Sequence, residues 1–165
     1  GGVMFHHHDV VGARMTRHRM NELRYPVKTT DAVSELVFLH MRPHTFKMGW
    51  TDSAVRRYVR DAGPLLADLN ELVRCDVTTR NKKRARAISR RIDELEERIV
   101  ELRKQEELDA LRPPIDGNQV MEYLGIAPGP AVGEVMRRLL EVRIEEGPYT
   151  EAEAFAMLDE WRQDA

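Results

Sequence analysis

Seven basic residues crowd one short stretch of this 165-residue chain. Arg80, Lys82, Lys83, Arg84, Arg86, Arg90 and Arg91 fill seven of the twelve positions from 80 to 91, with no acid among them. Like charges at that density repel, and cations at the start of a helix oppose its macrodipole, each at a cost of roughly 0.3 kcal/mol or more. A merely solvated face would intersperse acids, as the chain itself does from Asp93 onward. The cluster is therefore expected to face a polyanion, with Arg56, Arg57 and Arg60 extending it. No aromatic residue is interleaved, so the expected contacts are phosphates rather than stacked bases.

A sparser set carries metal chemistry. His6-His7-His8-Asp9 reads either as the remnant of an affinity tag or as native ligands, because Val3-Met4-Phe5 precedes it and an apolar helical pattern follows at once. His8, His40 and Asp76 supply imidazole and carboxylate groups suited to a divalent ion. Ligands this far apart leave no local spacing signature, and the alternative is a half-buried His40 satisfied by hydrogen bonds. The turn Gly125–Gly133 could hold a phosphate on free N–H groups, or simply let two helices approach closely. Cys75 has no obvious base beside it and reads as a buried structural thiol. The sequence contains no Walker-type glycine loop, serine nucleophile elbow or strand-borne carboxylate pair.

The elements that must position these groups are helices. Hydrophobic residues make up 42% of the chain and charged residues 33%, with a net charge of −2, and the apolar residues recur at three and four rather than two. Ten glycines and eight prolines are too few for a collagen-like or low-complexity chain, and one cysteine excludes an internal disulfide framework and a multi-cysteine zinc site. No run approaches the ~18 to 20 apolar residues that cross a bilayer, so no membrane partner is expected, and the chain is expected to be soluble and cytoplasmic.

The expected fold class is all-α: a helical bundle over 1–79, a long helix over 80–112 and a three-helix module over 113–165. Helices are expected from about His8 to Leu23, from an N-cap at Thr30 or Asp31 to Pro43, from Thr51-Asp52-Ser53 to Gly63, and from Pro64. In the long helix Ala85, Ile88, Ile92, Leu95, Ile99 and Leu102 form an apolar seam, to be buried within the chain or, over 88–102, used between copies. Pro113-Pro114 ends that helix. Asp116-Gly117-Asn118 opens a short one, Pro130 begins the next, and Thr150-Glu151-Ala152-Glu153 is a capping box for the last.

The order of these segments resembles a family. Phe5-His6-His7-His8-Asp9-Val10-Val11-Gly12-Ala13, Leu36-Val37-Phe38-Leu39-His40, Thr51-Asp52-Ser53-Ala54-Val55-Arg56-Arg57 and Leu72-Val73-Arg74-Cys75-Asp76 look like the rear half of an HD-type domain. Their order is similar to that in bacterial CCA-adding enzymes (tRNA nucleotidyltransferases) and their poly(A) polymerase relatives. Asp116-Gly117-Asn118, Leu124-Gly125-Ile126 and Pro128-Gly129-Pro130-Ala131-Val132-Gly133 resemble the C-terminal helical module of the same enzymes.

By this resemblance His8, His40 and Asp76 fall on later metal-ligand positions of the HD pattern, so a divalent metal there would be weakly held. The first histidine and the His-Asp pair of that pattern would lie upstream of Gly1. So would the nucleotidyltransferase head, which binds Mg²⁺ and selects CTP and ATP. The resemblance thus implies the tRNA-binding, C-terminal half of a parent enzyme, with tRNA as partner. The alternatives are an HD-type metal-dependent phosphohydrolase fragment and a helical oligomerisation module built on the 88–102 seam. Nucleotidyl transfer needs acids holding two Mg²⁺ ions about 4 Å apart. The 165-residue chain incubated with tRNA lacking its 3′ end, CTP, ATP and Mg²⁺ is therefore expected to leave the tRNA unextended on a denaturing gel.

Overall fold

Proline and glycine positions set most of the helix boundaries. The computed structural model describes residues 7–76, 82–106 and 111–163. These residues form α1 (His8–Glu22), α2 (Val27–Leu39), α3 (Asp52–Ala62), α4 (Leu66–Cys75), α5 (Lys82–Gln105), α6 (Gly117–Leu124), α7 (Pro130–Glu145) and α8 (Glu151–Gln163). Two 3₁₀ segments, Arg42–Met48 and Gly63–Leu65, lead into α3 and α4. There is no strand among the described residues, so the chain is all-α.

Two expected helix boundaries are corrected, the start of α2 and the end of the long helix expected at 112. α2 begins at Val27, not behind a cap at Thr30 or Asp31. Proline has lost its N–H but keeps its carbonyl, and Pro26 accepts from the Thr30 amide at 2.9 Å. Thr30 thus lies inside the helix and is buried. At the other end of the long helix, α5 stops at Gln105 and residues 111–113 are not helical. Arg112 and Pro113 each precede a proline, which pushes the residue before it out of the α region.

The chain divides into two compact units, Gly1–Trp50 with Asp61–Val100, and Thr51–Arg60 with Glu101–Ala165. In the first, α1 packs along α2 where Gly12 leaves room: a Cβ there would come within 3.2 Å of the Val37 side chain. α4 and α5 are tied by charge. Arg74 donates to Asp93 at 2.8 Å and to Glu96, and Asn70 Nδ2 reaches Glu96 Oε1 at 3.0 Å. These donors, Arg74 above all, hold the Glu96 carboxyl below its ordinary value despite the opposing effect of burial. Of the apolar seam of α5 in this unit, Ile92, Leu95 and Ile99 are buried and Ala85 and Ile88 are half-buried.

In the second unit Ile115, Val120, Leu139, Ala154 and Leu158 form the core, with Trp161, Phe155 and Val135 packed against it. Both expected cap sites are formed. Thr150 Oγ1 accepts from the Glu153 amide at 3.3 Å while the Glu153 carboxylate takes the Thr150 N–H at 2.7 Å. Asp116 accepts from the Asn118 and Gln119 amides at 2.8 and 3.0 Å, and the Gln119 side chain returns a bond to the Asp116 N–H. Asp116→Ala removes two acceptors from the start of α6 and is expected to lower stability by about 1 kcal/mol in urea titrations.

Candidate nucleic-acid interface

A guanidinium can hold a phosphate only if it is not already occupied by a carboxylate. The arginines of this chain separate on that criterion. Arg56 is 6% exposed. Its Nε donates to Glu106 Oε1 at 2.9 Å and its Nη1 to the Ile144 carbonyl at 3.0 Å. Arg143 donates to the other Glu106 oxygen. Gly147, at φ +101°, makes this possible, since a Cβ there would sit 3.1 Å from Arg56 Nη2. Arg57 reaches Glu141 at 3.1 Å and also Glu145, and Arg60 reaches Glu141 at 3.3 Å. Burial acts to raise the Glu141 carboxyl, but Arg57 and Arg60 outweigh it and hold it below its ordinary value. Of these three, Arg56 has an internal place, and Arg57 and Arg60 lie partly exposed with acids attached.

The basic stretch is different. Arg80 lies outside the described residues, as do the side chains of Lys82 and Arg84. Lys83, Arg86 and Arg90 are exposed on the first half of α5, and Arg91 is half-buried. Among the described residues Arg86 and Arg90, one turn apart, have no ion pair. Asp93, the nearest acid downstream, is engaged by Arg74.

The metal candidates gather only in part. The His8 and His40 rings meet edge-on with centroids 5.5 Å apart, and His40 Nδ1 bonds the Val37 carbonyl one turn back. His44, which the sequence did not single out, shares this neighbourhood. Partial burial lowers its basicity, Asp76 opposes that, and the neighbouring His40 and Arg91 reinforce it. Among the described residues no three His, Cys, Asp or Glu side chains converge well enough to hold a metal ion. His6 lies outside the described residues. Cys75 is not buried as expected but exposed near the C-terminal end of α4, with its thiol 3.8 Å from a Glu71 oxygen.

Sequence reasoning also missed Phe46, which lies with Gly49 against Ala87, Arg90, Arg91 and Glu94 of α5. Nothing in the local pattern links positions 46 and 90. Glu106 and Arg143 were missed as well. The only signal was an acid and a base in otherwise helical, partly apolar stretches.

The chain is 34% identical over 162 residues to the A-adding tRNA nucleotidyltransferase of Deinococcus radiodurans, covering 97% of this chain and 36% of that protein. It is 33% identical over 164 residues to the CC-adding tRNA nucleotidyltransferase of Thermus thermophilus, covering 98% of this chain and 35% of that one. The chain thus spans about a third of the length of these relatives. Over nearly its whole length it is similar to part of the tRNA nucleotidyltransferases, the family that the motif order resembles. No family model matches it, nor does any solved structure.

The enclosed and the exposed ion pairs are expected to respond differently to mutation. Glu106→Gln leaves two buried guanidiniums without a neutralising carboxylate and is expected to cost roughly 3 to 5 kcal/mol. Glu141→Gln, whose side chain is 37% exposed, is expected to cost less than about 1 kcal/mol. Urea denaturation of the two variants checks the contrast.

Proposed function

We propose that this chain is the tRNA-binding portion of a tRNA nucleotidyltransferase, holding the phosphate backbone along the first half of α5. The observation that carries the reading is that Arg86 and Arg90, one turn apart in the basic first half of α5, are exposed with no acid attached among the described residues. Lys83 and Arg91 flank them on the same helix. The side chains of Arg80, Lys82 and Arg84 would add to the same stretch, whereas Arg56 is set aside because its guanidinium is enclosed.

The two relatives support the same division of labour. One is named for adding A and the other for adding CC, yet both match this chain to almost the same degree. That favours a role for this third in handling the tRNA, which both names print, over a role in the choice of nucleotide. Selection of CTP or ATP and Mg²⁺-dependent transfer would belong to the remainder of such an enzyme. Phosphate contacts made by flexible cations position an RNA without reading its sequence.

About four phosphate contacts would make log affinity for tRNA fall with log salt at a slope of roughly −3 to −4. Arg86→Glu combined with Arg90→Glu is expected to weaken binding of all tRNAs and flatten the slope by about two contacts. The melting temperature should hardly change, because neither residue has a pair to lose. Fluorescence anisotropy with labelled tRNA across a salt series measures this. Unchanged affinity in the double variant overturns the reading.

A further inference from the structure

A cavity of about 350 Å³ lies in the first unit, lined by Phe46, Gly49, Ala87, Arg90, Arg91 and Glu94. Its composition differs from that of a plain phosphate-gripping face. Phe46 supplies an aromatic surface beside two guanidiniums, Ala87 is small, and Glu94 supplies an acceptor. Trp50 packs edge-on against Phe46, with centroids 5.5 Å apart and the planes at 89°, which buttresses the Phe46 ring. Gly49 turns the chain at φ +75°, and the space where its Cβ would stand is empty to 4 Å. The volume is at the lower end of the ~300 to 1,000 Å³ typical of small-ligand sites.

We propose that this cavity is a subsite for one unpaired nucleotide of a bound RNA. The base stacks on Phe46, Arg90 and Arg91 take the adjoining phosphate, and Glu94 accepts from an exocyclic amino group. The last contact favours adenine, cytosine or guanine over uracil. A base held in duplex stacking has no free face to offer, so the site selects single-stranded or splayed nucleotides. This rests on the nucleic-acid reading of α5 and adds to it: backbone contacts alone would not distinguish paired from unpaired RNA.

The test compares a short single-stranded RNA oligonucleotide with an RNA duplex, each titrated into the 165-residue chain. Phe46→Leu is expected to weaken single-strand binding about tenfold, as loss of one base–aromatic stack does, and to leave the duplex affinity and the salt slope unchanged. Phe46→Trp should restore the single-strand affinity. Arg90→Glu should weaken both ligands.

Trp50 gives a second readout that needs no Phe46 variant. In the Trp161→Phe protein its emission should change on adding the single strand and not the duplex. The subsite is overturned if RNA binds while Phe46→Leu affects both ligands alike or neither, or if Trp50 emission does not move. Binding of the duplex without the single strand also overturns the subsite, whereas failure of both RNAs to bind the unmodified chain overturns the nucleic-acid reading, and the subsite with it.

Discussion

Carboxylates claim Arg56, Arg57, Arg60, Arg74 and Arg143, and the helices that carry them are held by those ion pairs. Glu106 sits with its side chain 3% exposed between Arg56 and Arg143, whose side chains are each 8% exposed. Desolvating three charges is expensive, and only close two-sided contact with the carboxylate offsets it. Arg56 further donates Nη1 to the Ile144 carbonyl, so its guanidinium is bonded on two nitrogens within the fold. Glu141, Glu145 and Glu96 act likewise nearer the surface, on Arg57, Arg60 and Arg74. Arg74 engages Asp93 and Glu96 of α5, while Arg86 and Arg90 upstream face solvent.

α5 shows how one helix serves two purposes. Every third or fourth residue from Ile92 to Leu102 is apolar and buried, which anchors the helix. The residues between are charged, and their distribution is lopsided: bases before Asp93, acids mixed with bases after it. Buried apolar residues hold the backbone still, so the exposed bases stand on a rigid support rather than a loop. That suits phosphate contact, where affinity comes from several charges held at once and the ordering cost is already met by folding.

Much of this architecture can be read from local chemistry. The 3-4 spacing determined that the chain is helical, because that period puts apolar residues on one stripe of an α-helix and on both faces of a strand. Asp116 and Thr150 marked helix starts because a short acceptor side chain satisfies amides within three residues of itself, a contact that needs no tertiary partner. The lopsided charge of 80–91, and the family that the motif order resembles, were legible for the same reason. Pro26 misled because a proline before a helix stops the preceding element and also starts the next.

What depended on the folded chain was every relation between distant residues. Arg56 and Arg86 look alike in the sequence, yet one is enclosed and the other exposed, since the carboxylate that captures Arg56 lies fifty positions away. His8 and His40 come together while, among the described residues, no third ligand completes a metal site, which spacing along the chain could not decide. The aromatic residue that the basic run lacks is supplied by Phe46, from a 3₁₀ segment outside α5. Local composition fixes which residues are helical and charged, because those properties depend on neighbours within a turn. Pairing and enclosure depend on which helix faces lie opposite each other, and packing alone sets that.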